Sequence, residues 1–215
     1  MLTHHSQRIS RQLLFRATMV AACAALSCGV GLAADTVSLA FHEKDRSYDV
    51  EGSFDVEART SVVWDVLTGY EQLPKFVGNL KRSHVEEDLG PYHFLLEQEF
   101  EGGFLFITKR VRVLLDVHET WYQTILFEDI DHKDFGFYEG SWELRPGSDK
   151  GLKVIYSLKA RQNFDAPFAG DFTRGGIKDL LESVRREILR RQAKKATEEV
   201  RPLTSTSTPV LESRY

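Results

Sequence analysis

The chain has 215 residues, 28 basic and 32 acidic side chains, and a formal charge of −4. That balance repels phosphate backbones and anionic headgroups over roughly a Debye length, and no basic–aromatic interleaving argues for nucleic acid. The only cysteines are Cys23 and Cys28, so everything after them lacks a disulfide, a thiol nucleophile and a thiolate metal ligand.

The first 34 residues differ in kind from the rest. Arg8, Arg11 and Arg16, with no acidic residue, lead into the small apolar run Ala17 to Ala34, which is the layout of a secretory signal peptide. The run is shorter than the roughly 20 residues a spanning helix needs. Cleavage after Ala33 or Ala34 is therefore expected ahead of a retained anchor. Val20-Ala21-Ala22-Cys23 offers a lipoprotein alternative, with only a short apolar run before it. The expected mature chain is periplasmic or otherwise exported, carries a charge of about −7 once those three arginines are gone, and opens with a polar lead-in over residues 35–47.

From Val50 to Glu57 apolar and polar residues alternate, which predicts a strand with one buried face. Thr60 or Ser61 can cap a helix carrying Val62, Val63, Trp64, Val66 and Leu67. Gly69 ends it, and residues 70–77 read as a second short helical piece interrupted near Pro74. Six strand candidates follow, at about 81–87, 93–100, 104–117, 121–129, 135–144 and 152–160. Turn-formers separate them, among them Gly90-Pro91, Gly102-Gly103 and Pro146-Gly147. Such short links cannot carry parallel crossovers, so the sheet is an antiparallel meander. Ile177, Leu180, Leu181, Val184 and Ile188 then recur at helical spacing on an otherwise charged segment, a long amphipathic helix beginning near Asp171. Gly175-Gly176 would let this helix approach the sheet closely or bend. The domain spans residues 48–196, and 197–215 read as a flexible polar tail. The fold class is α+β: a curved antiparallel sheet of about seven strands around a long C-terminal helix, with two short helices after the first strand.

The run from Thr60 through Leu67, continuing as Tyr70-Glu71-Gln72-Leu73-Pro74-Lys75-Phe76, resembles the opening of polyketide cyclase/dehydrase-like and coenzyme-Q-binding START-like proteins. These belong to the START/Bet v 1-like (SRPBCC) superfamily. Gly140 to Leu144, Gly151 to Leu158 and the closing helix are similar too. The resemblance implies the helix-grip fold, with a ligand between the inner sheet face and the helix. Carried onto this chain, it places Leu73, Phe76 and Val77 at an entrance and Tyr138, Trp142, Leu144 and Tyr156 on a wall. It places Phe164, Pro167, Phe168 and Phe172 on the opposite rim, and Ile177, Leu181 and Val184 on the helix. Trp64 is expected to anchor its own helix in the core. Each of these aromatics has core packing as its rival role.

Catalytic and metal patterns are scarce. No nucleophile elbow, phosphate loop or dinucleotide fingerprint occurs. No HxxxH or HExxH pattern occurs either, so a metal site would have to be assembled through space; none is expected, nor is a cofactor. Glu128 to Asp134 reads as a solvated acidic loop. Alternation puts Arg110 and Arg112 on one face of their strand and Val111, Val113 and Leu115 on the other, and the longer apolar run favours the second set as the inner one. Gln98, Glu99, Glu143, Tyr138 and Tyr156 are the polar groups an acid–base reaction would draw on. Three functional classes follow: an exported binding or carrier protein for a lipid, polyprenyl or aromatic molecule, with transient membrane contact; an interaction module with a filled core; and a cyclase- or dehydrase-like enzyme. No oligomeric state is implied.

Overall fold

The computed structural model describes residues 37–104, 107–147, 151–164 and 169–200. The signal-peptide reading, Pro167, Phe168 and residues 201–215 lie outside them. Eight antiparallel strands form one sheet: β1 (Ser38–Lys44), β2 (Ser47–Val56), β3 (Leu80–Gly90), β4 (His93–Phe104), β5 (Ile107–Thr120), β6 (Thr124–Asp129), β7 (Phe135–Pro146) and β8 (Leu152–Gln162). Their spatial order is β1-β2-β8-β7-β6-β5-β4-β3. Between β2 and β3 lie α1 (Thr60–Leu67) and a 3-10 helix (Tyr70–Lys75), and α2 (Ala169–Val200) closes the chain. This is the helix-grip arrangement with one strand more than the sequence predicts.

The extra strand is β1, which occupies the expected polar lead-in. It pairs with β2 from Ser38↔Ser53 to Lys44↔Ser47. The turn between them places Asp45 (φ 50°) and Arg46 (φ 63°) in the left-handed region, the backbone a two-residue hairpin requires. Two other expectations are corrected. Gly102 and Gly103 are not a hairpin turn; they sit in the β4–β5 ladder opposite Lys109 and Thr108. Residues 197–200 are not tail but the last turn of α2, where Glu199 accepts hydrogen bonds from the Arg59 guanidinium, one of them at 2.6 Å.

Helix α1 begins one residue earlier than a Thr60 cap would place it and two earlier than a Ser61 cap, with Arg59 as N-cap and no side-chain cap. Its apolar face buries Val62, Val63, Val66 and Leu67 completely enough to fix it in the core. Trp64 is buried beside them and meets Tyr122 edge-on at 5.8 Å, as its core role requires. On α2, Ile177, Leu181, Val184 and Ile188 are the buried stripe. Gly52 on β2 permits the close contact there, because a Cβ at that position would lie 2.4 Å from Leu181 Cδ1.

The two faces of the β4–β5 hairpin follow strict alternation. Val113, Leu115 and Val117 point into the core, so the longer apolar set is the inner one. Arg112 is on the outside, bound to the Glu97 carboxylate, which Arg82 also reaches at 3.0 Å. The acidic loop is not simply solvated. Asp129 is 0 % exposed and accepts backbone N–H bonds from Leu114 (3.0 Å), Asp131 (3.3 Å) and His132 (3.2 Å). Those donors satisfy a buried carboxylate that would otherwise be costly.

Candidate functional site

The sheet and α2 do not close on each other everywhere. A cavity of about 60 Å³ remains between the inner faces of β4 to β8, the segment from Leu67 to Leu80, and α2. Tyr70, Leu73 and Leu80 border it on one side, and Leu180 and Val184 on the other. Leu96, Leu115, Val117, Ile125 and Phe127 supply much of its apolar floor, with the aromatic side chains of Tyr138, Trp142 and Tyr156.

These rings form one assembly. Trp142 and Tyr156 have centroids 4.6 Å apart, Phe127 and Tyr138 are 5.9 Å apart, and Phe127 lies 6.2 Å from Tyr156. The assembly depends on Gly140, where a Cβ would come within 2.2 Å of the Ser157 carbonyl and 2.6 Å of Phe127 Cζ. Only a residue without a side chain lets the Phe127 ring lie over the sheet.

Few polar groups face the cavity. The Gln98 amide donates to Ser83 Oγ at 3.2 Å, leaving its oxygen for a guest or a water. Burial, and then its hydrogen bond and proximity to Tyr138, hold the Tyr156 hydroxyl well above the usual phenol range. Burial pushes Tyr138 up to about 12, against the opposing effect of the hydrogen bond from Tyr156. Tyr70 is raised by burial and by the Glu119 carboxylate, to which its hydroxyl donates at 2.7 Å. All three tyrosines are therefore protonated near neutral pH; Tyr70 spends its proton on Glu119 and Tyr156 on Tyr138, which leaves the Tyr138 hydroxyl to donate into the cavity.

Of the residues that the resemblance places in the site, Leu73, Tyr138, Trp142, Tyr156 and Val184 line the cavity. Phe76 and Val77 pack instead in a small cluster with Leu73 and Leu80. Leu144 joins the general core, Ile177 and Leu181 bind α2 to the sheet, and Phe164 lies under the Lys109 ammonium, 2.8 Å from its ring centroid. Phe172 is half-buried near the start of α2 and is not part of the lining. Sequence reasoning missed Tyr70, Leu96, Ile125 and Phe127, and it named Gln98 only as a polar neighbour. Alternation places each of the strand residues on an inner face, but it does not distinguish a wall from a filled core.

Gly176 of α2 faces the Asn79 side chain; a Cβ there would be 2.8 Å from Asn79 Nδ2. The Asn79 Oδ1 is buried without a hydrogen-bond partner among the described residues. No described helix is long and apolar enough to cross a membrane.

Comparison with known proteins agrees with this geometry. The family model described as polyketide cyclase/dehydrase and lipid transport matches residues 56–187. A STAR-related lipid transfer protein of Xanthomonas axonopodis superposes with a TM-score of 0.59 at 13% identity, covering 73% of this chain and 95% of that one. Human STARD10 gives 0.59 at 12% identity, over 76% and 73%. The di-domain ARO/CYC protein BexL, of the BE-7585A biosynthetic pathway, gives 0.54 at 10% identity, over 74% of this chain and 52% of its own length. Identities this low carry the fold alone. No curated protein matches the chain. With more than half its length matched and its long helix gripped by a curved antiparallel sheet, the chain belongs to the polyketide cyclase/dehydrase and lipid transport family of START/Bet v 1-like proteins.

Proposed function

We propose that this chain is an exported binding or carrier protein for a hydrophobic small molecule of the lipid, polyprenyl or aromatic class. One observation carries the reading: an apolar cavity between sheet and helix whose polar groups are an amide and protonated tyrosines. A concave apolar site with a few fixed polar groups orients a greasy guest by one polar end. The same groups suit acid–base catalysis poorly, because a proton-transfer group works best with a pKa near the operating pH. Export rests on the basic and then apolar character of the first 34 residues.

The cavity's size sets a condition on this function. A water needs about 10–15 Å³ of such space, and an engineered cavity of about 150 Å³ admits benzene. A volume of about 60 Å³ holds a few waters or the tip of a chain, so uptake of a whole lipid requires α2 and the Tyr70–Leu80 segment to part. That small volume is also what favours the second reading, an interaction module whose core is nearly filled.

Incubation of the purified protein with a lipid extract, followed by native mass spectrometry, separates the two. A carrier retains discrete adducts, which Trp142→Arg abolishes while leaving a folded chain, because an uncompensated charge then sits in the apolar site. Recovery of unliganded protein alone, from repeated extracts, would refute the carrier reading in favour of the filled core.

A further inference from the structure

We infer that the outer face of the β4–β5 hairpin holds a site for one divalent transition-metal ion, ligated by His93, Asp116 and His118. Asp116 and His118 are two residues apart on β5, so both side chains leave the same face. His93 is the register partner of His118 on β4, so its ring joins them on that face. His93 Nε2 is 2.7 Å from Asp116 Oδ1, and His118 Nε2 is 3.4 Å from the same oxygen. The two imidazoles stack with centroids 3.9 Å apart and planes inclined by 20°. Two ring nitrogens and one carboxylate oxygen thus lie within 4.8 Å of one another. Ligand atoms around a tetrahedral ion with bonds of about 2.0–2.1 Å are about 3.3 Å apart, a spacing that the Asp116 contacts bracket, and the stacked rings must swing out of parallel for both imidazoles to aim a nitrogen at one ion.

A second observation points to a cation. Glu128 on β6 is the register partner of Asp116, and Glu139 on β7 is the partner of Glu128. Alternation puts these three carboxylates in one row across the outer face, with Lys159 of β8 next in the row opposite Glu139; Asp116 and Glu128 are then like charges directly opposite each other, which on a sheet is destabilising. Among the described residues no lysine or arginine forms an ion pair with Asp116 or Glu128. A bound cation would relieve this pair, with Glu128 as the neighbouring carboxylate across the ladder.

The donor set selects the ion. Imidazole nitrogens suit zinc, copper, nickel and iron, whereas magnesium and calcium take oxygen shells. In the metal-free chain the contact between His93 Nε2 and Asp116 Oδ1 stands where the ion binds, so loading replaces that contact with two bonds to the metal through a ring nitrogen that carries no proton. The site ties together two strands whose opposite faces carry Leu96, Gln98, Leu115 and Val117 of the cavity, but it does not require that cavity to bind anything.

Zinc chloride is the probe. The full chain is prepared with His4→Ala and His5→Ala, to remove the adjacent N-terminal histidines, and without a histidine tag. Calorimetric titration is expected to give one zinc ion per chain, a rise in Tm of about 5 °C at saturation, and no response to magnesium. Asp116→Asn and His118→Ala should each weaken binding at least ten-fold, whereas His84→Ala, at the separate His84–Glu71 pair, should leave it unchanged. Circular dichroism confirms that each variant is folded, and cobalt(II) absorption in the visible reads the coordination independently. Absence of stoichiometric zinc binding at micromolar concentration overturns the inference. So does binding that survives both ligand substitutions.

Discussion

The sheet packs on α2 tightly at its β1–β2 end and loosely toward its β4–β7 end, and the sequence writes the two ends in nearly the same letters. Along β1 and β2, Leu181 fills the space left by Gly52, and Ile188 is fully buried further along the helix. Along β4 to β7, the helix presents Leu180 and Val184 to a cavity walled by Phe127, Tyr138 and Trp142. Both ends are apolar. What separates them is whether opposing side chains reach contact distance, and dispersion contacts are lost outright across a gap. A helix held along one side and less crowded along the other has room to shift without unfolding.

Substitutions at the two ends should therefore differ in cost, as read by denaturant unfolding. Leu181→Ala removes a fully buried anchor and is expected to cost about 3 kcal/mol. Gly140→Ala drives a methyl against the Ser157 carbonyl and the Phe127 ring and should cost about 2 kcal/mol by overpacking. Val184→Ala, on the edge of existing space, should cost only about 1 kcal/mol. Equal losses at Leu181 and Val184 would mean that the two ends are packed alike.

The smallest effect tests the ion pairs that α2 makes within itself. Glu187 bonds Arg190 and Arg191 at 2.7 and 2.8 Å, and these contacts, hydrogen bonding to Arg190 foremost, depress its carboxyl to about 2. A carboxylate more acidic in the folded chain stabilises it fully above the unfolded pKa of about 4.3 and ceases to do so as pH falls toward about 2. Glu187→Gln should cost about 0.5 kcal/mol at pH 7, after allowance for solvent screening, and nothing near pH 2. A loss that persists at pH 2 would assign Glu187 a packing role instead.

Most of the architecture was legible because it rests on periodicity. Alternation through Val113, Leu115 and Val117 identified the inner face of β5, and the spacing of Ile177, Leu181, Val184 and Ile188 identified the buried stripe of α2. β1 was missed because its residues SLAFHEK are mostly exposed at the sheet edge and its turn uses Asp45-Arg46 in place of glycine. The end of α2 was missed because residues 197–199 are polar, held by helix propensity and by pairs such as Lys194–Glu198 rather than by an apolar stripe. The cavity wall was only half legible: Ile125 and Phe127 carry the pattern of any core strand. The histidine pair needed the register of β4 on β5, which joins His93 to His118 across 25 positions of sequence and leaves no local motif.

The central claim is that an apolar guest can occupy the space between the concave strands and α2. Crystals of the protein pressurised with xenon test this most directly, since xenon enters dry apolar voids whatever the natural ligand is. The account predicts ordered xenon density bounded by Gln98, Trp142 and Val184. Density for protein side chains filling that volume, with no xenon between them, would contradict it.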